Sequence, residues 1–451
     1  MANITAKNYL PCALTSNDIQ NNTDTNIQND TARVYTVYPR RFAVLIIFCI
    51  CSLSSGFQWI QYVIIQNIIV RYYNESLPGG YDAKNNAVTW TSLSYMVTYI
   101  PLMFPAMWLL DRYGLKITCS TGAFLNSLGA FIKCFSVGTN RWWIAFSGQM
   151  ICACAQSFTL GIPPYLAASW FSSNSVSTVT AIAVFGNQAI KMLCFLKVFQ
   201  RLPPTPPSRA QEIALQRSEQ NYVHTLKRLL TNRWFLLLLL SYGLNTGTFY
   251  SISTLLNPIY MWYFDKKTDQ ASTYAGTIGM LLVIGGIFGS LLGGYILDKT
   301  KAYKTVTFGV YVLSFLSMVL FISTISLHQY VAFVTMTIVG FFMTGYLPVG
   351  FEYGVEITYP ENEAISSSLL NVSAQIFGLC ITQLQEYLIF KKNKIFGSNI
   401  MLCGALIAGT IITMLIRSPL RRQSVQHNVN VLINANNSTT VVSNTDSTFN
   451  T

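Results

Sequence analysis

Eleven apolar runs follow one another between residues 42 and 416, joined mostly by short loops in which basic residues gather. A helix needs about 20 apolar residues to cross a bilayer. In hydrocarbon only helices and closed barrels satisfy their own backbone polar groups. The runs lie at 42–70, 87–110, 117–137, 142–168, 176–199, 233–262, 271–297, 303–325, 329–352, 364–389 and 397–416. Only 10% of the chain is charged, against about 25% in soluble domains, too little to cover a water-facing surface. The expected class is therefore an all-α, multi-pass membrane protein with the lipid bilayer as its medium. The net charge of +12 is read as the basic excess of cytoplasmic loops. Those residues flank apolar runs, so no nucleic-acid partner is expected.

Residues 1–38 are rich in Asn, Thr and Asp, without an apolar period, and are expected to be a disordered cytoplasmic tail. Residues 39–199 form a first helical bundle, 200–232 a basic cytoplasmic linker, 233–418 a second bundle and 419–451 a second disordered tail. Arg40 and Arg41 set the start of the first span inside. The loop Asp111-Arg112-Tyr113-Gly114-Leu115-Lys116 is matched after the linker by Asp298-Lys299-Thr300-Lys301. A repeated acid-plus-base loop suggests two duplicated halves, the plan of many secondary transporters. Gly285, Gly286, Gly289, Gly293 and Gly294 precede the second loop and make a small-residue face for close helix packing.

The topology then meets a parity fault. Five spans from an inside start leave residue 200 outside, yet the linker carries Arg201, Arg209, Arg217, Lys227 and Arg228 and should be inside. About one span is missing near 189–200, where Lys191 and Lys197 interrupt the apolar run. Either a sixth span is absent from this chain, or the fifth segment is a re-entrant hairpin.

Several segments in the right order resemble the feline leukaemia virus subgroup C receptor-related (FLVCR) family of the major facilitator superfamily. They include Tyr38-Pro39-Arg40-Arg41-Phe42, Phe57-Gln58-Trp59-Ile60-Gln61-Tyr62, Gly186-Asn187-Gln188 and the proline-rich stretch from Pro203 to Pro207. Ser253-Thr254-Leu255-Leu256-Asn257, the run Gly340 to Pro348, and Ala374-Gln375-Ile376-Phe377-Gly378 complete the match over about 38–420. The resemblance implies two six-helix bundles, and hence a twelfth span that this chain lacks at the place where the charges also miss one. It implies choline or ethanolamine transport by alternating access, at the plasma membrane, by a monomer with both termini cytoplasmic. Haem transport and a non-transporting, receptor-like form are the alternatives.

The spans carry amides and aromatics rather than ions, among them Gln58, Trp59, Gln61, Tyr62, Asn67, Asn245, Tyr250, Asn257, Asn371 and Gln375. Ring faces attract a quaternary ammonium, and amides bind a hydroxyl without adding net charge, so a small choline-like cation is the expected substrate. The resemblance places Trp59, Gln188, Tyr250 and Gln375 at the substrate site, with Asn257 and Met96 as further candidates for its lining. Asp111, Arg112, Asp298, Lys299, Glu352 and Glu356 fall at cytoplasmic helix ends and are expected to gate the inner mouth through ion pairs. Lys133, near a helix end, is expected to snorkel to water. No intramembrane proton relay is evident, which favours facilitated transport. Asn74-Glu75-Ser76 is an outer-loop glycosylation sequon. No CxxC pair occurs among the ten cysteines, and His224, His328 and His427 fall outside the spans. Hence no metal site, cofactor or enzymatic constellation is expected.

Overall fold

The computed structural model describes residues 38–172, 175–185, 222–264, 269–417 and 422–423. Within them the chain is helical: α1 (Arg40–Ile64), α2 (Gln66–Tyr72), α3 (Tyr81–Tyr113), α4 (Leu115–Lys133), α5 (Trp142–Gln156), α6 (Pro163–Trp170) and α7 (Val176–Phe185) precede the linker. The second half holds α8 (Tyr222–Thr231), α9 (Arg233–Thr254), α10 (Leu256–Tyr263), α11 (Asp269–Thr300), α12 (Tyr303–Thr324), α13 (Gln329–Thr358), α14 (Glu363–Glu386) and α15 (Ile395–Leu415). Among the described residues eight helices are long and apolar enough to cross a membrane. Gln188, residues 189–200 with the expected missing span, and most of the linker lie outside the described residues, as do residues 1–37 and, apart from Arg422 and Gln423, the second tail.

Three of the expected spans are broken rather than continuous, each for a local reason. Pro163 and Pro164 open α6; a ring without an N–H fits the first helical turn and cannot prolong the helix before it. Leu255 leaves the helical region (φ −100°, ψ 13°) between α9 and α10. Three residues on, Pro258 has no N–H to give the Thr254 carbonyl. Ile65 (φ −111°, ψ 34°) likewise parts α1 from α2. The carbonyl freed at Ile64 is taken by Asn257 Nδ2 at 2.8 Å, the kind of repair that lets a broken helix persist in a bilayer. The span expected to end at 352 runs on to Thr358, so Glu352 and Glu356 stand inside α13 and not at its end.

The glycine face on α11 packs as its composition requires. A Cβ on Gly289 would overlap the Phe341 carbonyl of α13, and one on Gly340 would overlap the Leu282 carbonyl of α11. These two helices therefore meet backbone to backbone. Gly294, one turn nearer the inner end, faces the first half instead: a Cβ there would stand 2.7 Å from Ala181 Cβ and 2.8 Å from the Ser177 carbonyl of α7.

Candidate functional site

Between the two halves, at the middle of the helices, lies an enclosed cavity of about 90 Å³, room for several water-sized occupants. Trp59 of α1 and Tyr250 of α9 meet at its wall, one from each half, with ring centroids 5.1 Å apart and planes at 75°. The two rings meet edge to face, and both border the space. Trp59 Nε1 is buried and has no hydrogen-bond acceptor. Phe249, Tyr242 and Phe351 extend the aromatic wall, while Gln156 and Asn371 supply amides. No carboxylate, ammonium, guanidinium or imidazole lines the space among the described residues. A cation here meets quadrupoles and dipoles and no counter-ion.

The other candidates fall at different depths. Met96 is fully buried behind the ring pair. Its sulfur and the Tyr250 ring converge on Gly378, where a Cβ would sit 3.2 Å and 3.1 Å from them. Gln375 is buried one turn earlier on the same face of α14; it does not reach the cavity surface. Asn257 is not at the cavity. It spans the outer break, donating to Ile64 O and, at 3.2 Å, to Asn67 Oδ1. Each of these asparagines stands two residues after the break in its own half. Asn371 is a span amide that the sequence already offers, and Gln156, beyond those named, carries the same signal as Gln375: an amide inside an apolar run.

At the inner end the halves are fastened by carboxylates. Asp298 accepts from Ser177 N (3.1 Å), Thr178 N (2.7 Å) and Thr178 Oγ1 (2.6 Å), capping the positive end of α7 across the interface. Glu352 accepts from Thr180 Oγ1 of the same helix at 2.5 Å. Arg422, beyond α15, folds back to 3.6 Å from Glu352, and Gln423 N donates to Glu356 Oε1 at 3.0 Å. Burial alone would lower the Arg422 pKa, but the carboxylates of Glu352, Glu363 and Glu356 outweigh it and push it up. The loop of the first half differs. Asp111 and Arg112 are exposed at the end of α3, with the guanidinium 5.4 Å from the Trp108 ring. Lys299 is exposed in the last turn of α11.

Lys133 corrects an expectation. It turns inward rather than to water, giving hydrogen bonds to Gln58 Oε1 and, at 2.7 Å, to Gln149 Oε1. Its ammonium lies 5.7 Å from the Tyr62 ring. Gln149 Nε2 in turn donates to the Gln58 carbonyl at 2.7 Å, so this cluster fixes the turn of α1 that presents Trp59. Two amides within reach made inward burial cheaper than stretching to the interface. Asn74 is exposed after α2, where its Oδ1 accepts from Lys84 Nζ at 2.5 Å.

Comparison with known proteins follows the same lines. Residues 189–382 match the Major Facilitator Superfamily model. The chain is 41% identical to the zebrafish (Danio rerio) choline/ethanolamine transporter flvcr2a over 91% of this chain and 94% of that protein. It is 43% identical to the cat (Felis catus) choline/ethanolamine transporter FLVCR1 over 87% and 74% of the two chains. Among solved structures, FucP in its outward conformation aligns with TM-score 0.60 at 14% identity, over 84% of this chain and all of that one.

Proposed function

The chain belongs to the FLVCR family of the major facilitator superfamily, and from that premise we propose that it carries choline, ethanolamine or a related amine across a membrane by alternating access. It is a multi-pass membrane transporter and not an enzyme. The observation that carries the substrate reading is the perpendicular Trp59–Tyr250 pair, contributed by opposite halves to one cavity without ionised side chains. A ligand held by both halves is what couples binding to their rocking, and two ring faces suit the methylated ammonium of choline. Trp59, Tyr250, Gln375, Met96 and Gln188 are assigned to substrate recognition. Asn257 is assigned to the outer closure, and Asp298, Glu352 and Glu356 to the inner one. Asp111, Arg112 and Lys299 keep a topogenic and loop-gating role, and Asn74 is the glycosylation site. The carrier works at the plasma membrane as a monomer.

Radiolabelled choline uptake in cells expressing the chain tests this. Saturable uptake abolished by Trp59→Ala at normal surface level supports the reading; uptake unchanged in that variant removes it. A non-transporting form is the second reading, and parity motivates it: α7 starts at the inner end, beside Asp298, while α8 also lies there, with Arg228 3.2 Å from Glu361. Cysteine-accessibility mapping of residues 200–221 separates the two. An inside-facing linker fits a working carrier, and an outside-facing one fits the broken form.

A further inference from the structure

A second cavity, of about 730 Å³, lies at the outer end between the start of α3, the start of α5 and the end of α14. Its walls are aromatic, with Trp90, Trp142, Phe146 and Phe390 among them. Set into this wall is Glu386, only 5% exposed. One carboxylate oxygen accepts from Asn86 Nδ2 at 3.1 Å. The other, Oε2, is buried and pairs with no donor at full hydrogen-bond geometry; the Thr89 hydroxyl beside the carboxylate is shared with the Asn85 carbonyl, 3.1 Å away. One turn before it, Gln383 Nε2 is also buried with no acceptor. Lys391 lines the same cavity, but its side chain is exposed, its ammonium lies 5.8 Å from the Tyr387 ring, and it makes no ion pair with Glu386.

A buried carboxylate with one oxygen answered at most by a shared hydroxyl is costly to keep. Here it faces open space walled by ring faces, beside an amide N–H that lacks a partner. Those three features are the complement of an amino alcohol: the carboxylate answers the charge, the rings take the substituents on nitrogen, and the Gln383 amide donates to the hydroxyl. We propose that this cavity is an outer binding site for alkylammonium groups, which captures the amine before it reaches Trp59 and Tyr250. The inference rests on the transport reading above. The same ammonium chemistry is offered by a free amine and by the headgroup of a choline phospholipid.

Two measurements test it. In uptake assays Glu386→Gln should raise the KM for choline about fivefold while changing kcat less than twofold, because a fixed charge at an entrance acts on capture. Trp90→Leu should move KM the same way, and Glu386→Asp should restore most of the loss; surface labelling checks folding. In the second, radiolabelled choline is titrated against purified full-length protein carrying Trp59→Ala, so that binding at the central site is removed. In phosphatidylglycerol nanodiscs a weak saturable site should remain and should vanish on adding Glu386→Gln. If it persists in phosphatidylcholine discs, the occupant is the free amine; if it is lost only there, the lipid headgroup holds the site. Unchanged KM in Glu386→Gln, together with no Glu386-dependent binding in either disc, overturns the proposal. Wild-type uptake in Trp59→Ala alone would instead overturn the central-site reading and leave this test standing.

Discussion

The middle of the molecule and its inner end solve opposite problems with opposite chemistry. The central cavity presents rings and amides and no ion, whereas the inner end sets Asp298, Glu352 and Glu356 against a helix terminus, hydroxyls and Arg422. A cavity that loads and unloads a cation gains from moderate, non-ionic attraction spread over rings and amides. A closure must be firm while shut and must come apart as a unit. Charge-assisted hydrogen bonds to N–H groups already present at α7 meet both needs, because water can replace them when the halves part. Recognition and fastening are thus separated along the same helices.

Breaking the first member of this comparison should give the largest effect. Trp59→Ala removes one of two ring faces and the packing behind it, and choline uptake should fall at least tenfold, read as initial rate against concentration. Next comes the fastening: Asp298→Ala deprives the α7 terminus of its cap. It should shift the protein toward inner-open forms, seen as faster cysteine labelling at an inner-cavity position such as Phe351→Cys and a roughly tenfold lower transport rate. Arg422→Gln leaves Glu352 and Glu356 with fewer partners and should give a smaller change in the same direction, about threefold in labelling rate. Tyr250→Phe sharpens the other side of the comparison. It keeps the ring face and removes only the hydroxyl, so KM should change less than threefold. The smallest effect concerns pH. The Arg422 pKa is raised in the folded protein, so the latch's contribution is complete below the unfolded value and lost only above the higher folded one. Transport should therefore show no alkaline release of this latch at any working pH, and an alkaline loss that disappears in Arg422→Gln would contradict the assignment.

The helical class, the two halves and the glycine face were legible because each is a property of runs of residues: apolar length, loop charge and small-residue spacing. The break at Ile65 was not, because Ile65 carries no breaking signal itself; the break shows in what repairs it, and Asn257, which takes the Ile64 carbonyl, lies far away in sequence. Trp59 and Tyr250 were named from the family resemblance, and the spacing of either residue alone would also fit packing. Lys133 was misjudged because a lone basic residue near a helix end defaults to water unless its partners are known, and Gln58 and Gln149 come from two other helices. Glu386 and Arg422 were passed over for a similar reason. Glu386 stands near the end of an apolar run and Arg422 within the polar tail, and burial is a tertiary fact that hydropathy does not encode.

Gly279, Leu282 and Gly286 of α11 border the central cavity, and Asp298 of the same helix grips the opposite half, twelve residues, or about 18 Å, further along. Because Gly289 lies against the Phe341 carbonyl with nothing between them, a displacement of α11 toward α13 presses directly on its backbone. The pair therefore works as a stiff lever, with the cargo near one arm and the latch at the other. Cargo bearing on α11 at the load point thus acts on the same continuous helix that holds the latch.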